Sequence, residues 1–157
     1  MSDPVDPALP PDDDGGHPSV APRDRDTAYG LLQRGHDLMR RRHFAQAAVV
    51  LERARGLEPG KGSILEALGR AYFNSAQHER SQEAFLALLE VDPSAHYGHY
   101  ALGQSLKRLG RDREARTHLR LAVALAPSSA LYRGALARLP APADGDPQPA
   151  DGDPAGG

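Results

Sequence analysis

Histidine is the residue type in this 157-residue chain best suited to hold a metal or move a proton, and it occurs seven times. His96 and His99 stand three apart, a spacing that puts two imidazoles on one face of a helix, and His36 could share their surface. A zinc site needs three or four ligands and groups that orient them. The chain has no cysteine, no His-Glu-x-x-His run and no Cys/His cluster. The expectation is no metal and no cofactor, with His99 filling a core position and His96 opening a helix. Gly60-Lys61-Gly62-Ser63 is superficially like a phosphate loop, but it lacks the upstream Gly and the preceding strand, so it reads as a turn. Asp-Gly-Asp-Pro, at 144–147 and 151–154, lacks the further oxygen ligands and flanking helices of a calcium loop. No nucleophile motif or paired-carboxylate arrangement is present. The residues point away from an enzyme.

Charge and composition divide the chain into three. Residues 1–26 carry seven Asp against Arg23 and Arg25, a net of −5; residues 140–157 carry four Asp and no base. Both segments are rich in Pro, Gly and Asp and poor in large apolar side chains, so neither can bury enough surface to offset the entropy of ordering. Both are expected to be disordered acidic tails. The intervening residues 27–139 hold 17 basic and 10 acidic side chains. The acidic N-terminus has no apolar run behind basic residues, which argues against a secretory signal. No stretch approaches the length of a membrane span. The cytoplasm is the expected compartment, with no membrane contact.

The elements that must position any site repeat with a fixed period. Gly35, Gly69 and Gly103 are each 34 residues apart, and so are Pro59, Pro93 and Pro127. The shared period divides the core into units of about 28–61, 62–95 and 96–129. Each unit reads as two amphipathic helices: in the second, Leu65, Leu68, Gly69 and Tyr72 share one face of a first helix, and Phe85, Leu88 and Leu89 one face of a second. Short turns are expected around His43, Gln77 and Gly110-Arg111, the last with a helix C-cap signature. Each Pro closes a second helix and could open the next first helix, with Asp92 and Ser128 as nearby N-caps. A helix-interior Gly costs roughly 0.5–1 kcal/mol against Ala. Its recurrence suggests two helix backbones in close approach. Ser128 to Leu139, with Tyr132, Ala135, Leu136 and Leu139 at helical spacing, is too short to stand alone and reads as a capping helix packed on the last unit.

This pattern resembles the tetratricopeptide repeat family. The Leu-Gly pair of the family signature appears as Leu68-Gly69 and Leu102-Gly103, with Arg34-Gly35 in the first unit. The Trp position holds Leu31, Leu65 and His99, and the Tyr position Leu38, Tyr72 and Leu106. In the second helices the first Ala position holds Ala47, Ser81 and Ala115, and the Phe position Leu51, Phe85 and Leu119. The next Ala position holds Ala54, Leu88 and Ala122. Arg34 and His99 depart most from the pattern. The resemblance implies an all-α fold, helix-turn-helix repeats stacked in a short right-handed α-solenoid.

The resemblance also implies a concave groove lined by first-helix side chains. Carried onto this chain, the groove positions are Tyr29, Leu32, His36, Met39 and Arg40 in the first unit. They are Ser63, Glu66, Arg70, Phe73 and Asn74 in the second, and Tyr97, Tyr100, Gln104, Lys107 and Arg108 in the third. Aromatic and soft apolar groups mix there with cations, a composition enriched at protein interfaces. The expected partner is a protein or peptide segment of acidic-aromatic character, held without catalysis. The family's clamp for chaperone C-termini wants Lys and Asn where this chain has Leu32 and His36, so it is not reproduced. The acidic tails could compete for the groove or simply confer solubility. Alternative readings are single-stranded nucleic acid on the basic core, or self-association through Leu131 or the outer face of the first helix.

Overall fold

The computed structural model describes residues 27–142. The expected tails, and both Asp-Gly-Asp-Pro runs, lie outside the described residues apart from 140–142. Among the described residues seven helices follow one another: α1 Ala28–Arg40, α2 Phe44–Leu57, α3 Gly62–Asn74, α4 His78–Val91, α5 His96–Arg108, α6 Asp112–Leu125 and α7 Ala130–Ala137. Helices pair as α1 with α2, α3 with α4 and α5 with α6. Each second helix packs on the first helix of the next pair, α1 touches α3 and α3 touches α5. The result is an all-α solenoid, ended by α7 lying on α6. Among the described residues no helix is long and apolar enough to cross a membrane.

The in-phase glycines admit a side chain rather than a backbone, which corrects the sequence expectation. A Cβ on Gly35 would lie 2.5 Å from Leu51 Cδ2, one on Gly69 2.6 Å from Phe85 Cζ, and one on Gly103 2.7 Å from Leu119 Cγ. Each second helix therefore drives one large, fully buried side chain into the notch left by the missing Cβ of its partner. The tight fit is the reason three helix-interior glycines offset their conformational cost.

The turns within the pairs also repeat. Arg42, Ala76 and Gly110 adopt positive φ of 63°, 60° and 75°. The next residue donates its N–H five residues back, from His43 to Leu38 O, Gln77 to Tyr72 O and Arg111 to Leu106 O, at 2.8–2.9 Å. These are Schellman caps. Only Gly110 announces one in the sequence.

The prolines sit differently from the sequence expectation. Pro59, Pro93 and Pro127 each lie two residues past the end of a second helix, and the next helix starts only at Gly62, His96 or Ala130. The residues that precede those helices are Lys61, Ala95 and Ser129, and Ser129 accepts from Tyr132 N. Asp92 follows α4 and its carboxylate binds Ser94 instead.

Two apolar clusters run through the array. One joins α1, α2, α3 and the Ala84 position of α4; the other joins Leu65 and Phe85 to α5, α6, Ala135 and Leu139. Arg34 is exposed, whereas its repeat equivalents Leu68 and Leu102 are fully buried. No repeat precedes α1 among the described residues to cover that position, so a charged residue there costs nothing.

Candidate partner-binding groove

The first helices α1, α3 and α5 line two adjoining hollows that share Arg70 and Asn74 of α3. The N-terminal hollow, about 500 Å³, is lined by His36, Met39 and Arg40 of α1, Phe44 of α2, and Arg70 and Asn74. The C-terminal hollow, about 380 Å³, is lined by Arg70, Phe73 and Asn74 of α3, Phe85 of α4, and Tyr97, Tyr100, Ala101, Gln104 and Arg108 of α5. Arg70 and Asn74 are four apart, one helical turn, and the Asn74 amide donates to Arg70 O at 2.8 Å.

Aromatic rings build the C-terminal hollow as a connected group. Tyr97 meets Phe85 edge-on at 6.3 Å and Tyr100 at 6.0 Å. Tyr100 stacks on Tyr132 of α7 at 5.0 Å and accepts from the Gln104 amide at 3.2 Å. The Tyr132 hydroxyl shares a 2.8 Å hydrogen bond with His96 Nδ1. Burial raises the Tyr97 phenol above its ordinary value, Glu66, Tyr100 and Tyr132 adding to it and Arg70 opposing. Burial likewise raises Tyr132, with Tyr100 and Glu66 adding. Both phenols are therefore neutral at physiological pH and can donate or accept. The Arg108 guanidinium lies 5.8 Å over the Phe73 ring, a cation–π contact.

The cations differ in availability. Arg40 is paired with Asp37. Among the described residues neither Arg70 nor Arg108 is in an ion pair. Several arginines outside the groove are engaged within the chain. Arg111 binds Glu114 and Gln82, Arg116 binds Pro140 O, and Arg133 binds Pro127 O.

Ten of the expected groove positions line one hollow or the other; five do not. Leu32 is 7% exposed and belongs to the core cluster, which removes it from the groove: an apolar side chain where Glu66 and Tyr100 stand turns to apolar neighbours. Tyr29 is 72% exposed and lines neither hollow. Its equivalent Tyr97 has Phe85 of the preceding repeat to lean on; Tyr29 has no such neighbour among the described residues. Ser63 and Lys107 are exposed and line neither hollow, and Glu66 is half-buried near Tyr97 and Tyr132. Phe44, Phe85 and Ala101 join the walls from outside the expected set, and Tyr132 supports Tyr100 from behind. The Phe85 spacing marked it as core, and a single ring here serves both core and groove.

His36, His96 and His99 do not converge. His36 lines the N-terminal hollow, His96 holds Tyr132, and His99 is buried between Pro93 O, at 2.9 Å from Nε2, and His118 Nδ1, at 3.2 Å from Nδ1. Among the described residues no three His, Cys, Asp or Glu side chains gather as a metal site would require.

Paired helices, glycine notches and a concave face of first helices together define a helical-repeat protein. The tetratricopeptide repeat profile matches residues 32–77 and 66–130, and the chain belongs to that family. No curated protein matches it in sequence. Among solved structures, it is similar to the first TPR of Spaghetti (RPAP3) bound to an HSP90 peptide, at 14% identity, TM-score 0.68, over 70% of this chain and 87% of that one. It is similar to MamA at 17% identity, TM-score 0.69, over 73% and 67%. It is also similar to YrrB, described as a TPR protein with an unusual peptide-binding site, at 20% identity, TM-score 0.67, over 69% and 56%. At these identities the likeness is one of fold.

Proposed function

We propose that this chain is a non-catalytic protein-interaction module that holds a partner segment in its concave face. The C-terminal hollow carries the reading: two guanidiniums with no ion pair among the described residues stand at a hollow walled by Phe73, Phe85, Tyr97 and Tyr100. Such a hollow suits an aromatic or apolar side chain flanked by carboxylates, because the ring gains buried contact while each carboxylate meets a fixed fork of donors. Asn74 and Gln104 supply amides for the backbone of the bound segment. Similar folds that hold peptides, the RPAP3 domain with its HSP90 peptide and YrrB with its peptide-binding site, support the class of ligand. With Leu32 in the core, the chaperone clamp lacks one of its positions here.

The test is a titration with an acetylated, amidated peptide Glu-Glu-Phe-Glu-Glu. Binding should weaken with added salt, since exposed charges are screened beyond about 10 Å at 0.1 M. It should be lost in Arg70→Glu plus Arg108→Glu, and reduced when Phe is replaced by Ala in the peptide. The acidic segments 1–26 and 140–157 are proposed as weak competitors for the same cations, so a chain cut to 27–139 should bind the peptide more tightly at low salt. Equal affinities would assign the tails to solubility.

A further inference from the structure

We propose that the His99–His118 pair makes the seating of α5 acid-sensitive, so that acidification loosens the helix carrying Tyr97, Tyr100, Gln104 and Arg108. His99 occupies the position where the family signature has Trp, and it is 8% exposed. Its Nε2 faces the Pro93 carbonyl at 2.9 Å, so that nitrogen carries a hydrogen. A neutral imidazole has one N–H, which leaves His99 Nδ1 bare and accepting. The His118 Nδ1, 3.2 Å away, must then be the donor. The rings lie nearly parallel, 19° apart, with centroids at 5.5 Å.

This arrangement has room for one added proton. The first goes to the bare Nε2 of His118 and leaves the hydrogen bond intact. A second would go to His99 Nδ1, where two N–H groups would point at each other and two cations would face across 5.5 Å. Even the first is disfavoured: burial lowers the His118 pKa below the ordinary 6.5, His99 lowers it further, and Glu114 alone opposes. Those are the charged and titratable groups that act on His118, His99 from α5 and Glu114 from its own helix; the turn after α4 contributes the Pro93 carbonyl.

Because the folded state holds fewer protons than the unfolded one, stability is full above pH 6.5 and is lost as pH falls below it through the lowered folded value. The neighbouring His96–Tyr132 bond differs in kind. The phenol can donate to a bare Nδ1 or accept from an Nδ1–H, so that contact does not depend on one tautomer. The loosening is therefore local to the α5–α6 contact around His99, and it acts on the groove because Tyr100 is the next residue on α5.

Amide hydrogen exchange on the full chain at pH 7.5 and pH 5.0, corrected for intrinsic rates, tests this without any ligand. Protection in α5 should fall roughly tenfold relative to α1 and α3 on acidification. In His118→Asn, whose amide can donate to His99 Nδ1 and cannot titrate, that fall should disappear. Should Asn fail to fold, His118→Phe serves as the non-titrating variant. An α5 that keeps pace with α1 and α3 at pH 5.0 would overturn the proposal, as would an undiminished fall in a folded non-titrating variant. Because no peptide enters the measurement, either failure leaves the groove reading standing.

Discussion

The first and third repeats have the same helical frame and different interiors. In the first, the core around Leu31, Leu51 and Ala54 contains apolar side chains only. In the third, the buried polar side chains His99 and Ser105 appear, with Ser81 reaching in from the second repeat. Ser81 Oγ lies 2.9 Å from Gly69 O, Ser105 Oγ lies 3.0 Å from Ala101 O, and the two hydroxyls lie 2.9 Å apart. With one proton each, the hydroxyls fill two of these three contacts at a time, one donating to its carbonyl and the other to its carbonyl or to its neighbour, so each keeps a partner. The frame tolerates polar substitution where the neighbouring repeat supplies a partner. The first repeat has no preceding neighbour among the described residues, and there the same positions are either apolar and buried or charged and exposed. The groove follows this difference: Tyr97 leans on Phe85, and its first-repeat equivalent Tyr29 stands in solvent.

The largest way to break the contrast is Phe85→Ala. It empties the Gly69 notch and removes the wall behind Tyr97, and should cost roughly 3–5 kcal/mol in chemical denaturation. Tyr97 should then become accessible to nitration as Tyr29 is. Next come the notches themselves. Gly35→Ala and Gly103→Ala should each cost about 1–3 kcal/mol by overpacking. Gly103→Ala should cost the more, because a Cβ there also meets the Ala115 carbonyl oxygen at 3.3 Å and a backbone cannot rotate aside as Leu51 can. Ser105→Ala has no counterpart in the first repeat, and should lower stability by about 1 kcal/mol through loss of the hydroxyl pair. Smallest are the turns. Arg42→Gly should raise stability by up to ~1 kcal/mol, since Arg42 holds φ 63° without being glycine, and Gly110→Ala should lower it by about 1 kcal/mol. A thermal melt of the two variants against the parent chain reads both signs at once.

Glycine and proline at a 34-residue period made the solenoid legible in the sequence, because each marks a backbone requirement that recurs once per unit. The reason for the glycines was not legible. Close backbones and an inserted side chain demand the same missing Cβ, and only coordinates distinguish Leu51, Phe85 and Leu119 as the occupants. The left-handed turns at Arg42 and Ala76 were hidden because neither residue type favours that conformation. Most expected groove positions face the hollows because a helix turns side chains at fixed intervals. Leu32 and Tyr29 line neither hollow because repeat position sets only a direction, and the neighbour in that direction decides what is buried. His118 gave no signal at all: it meets His99 from another helix, 19 residues along the chain.

The measurement closest to the central claim is calorimetric titration of the Glu-Glu-Phe-Glu-Glu peptide into the parent chain and into Arg70→Glu plus Arg108→Glu. Salt-sensitive binding to the parent chain and none to the variant is the expected result. Equal binding to both, with the variant still folded by circular dichroism, would contradict it.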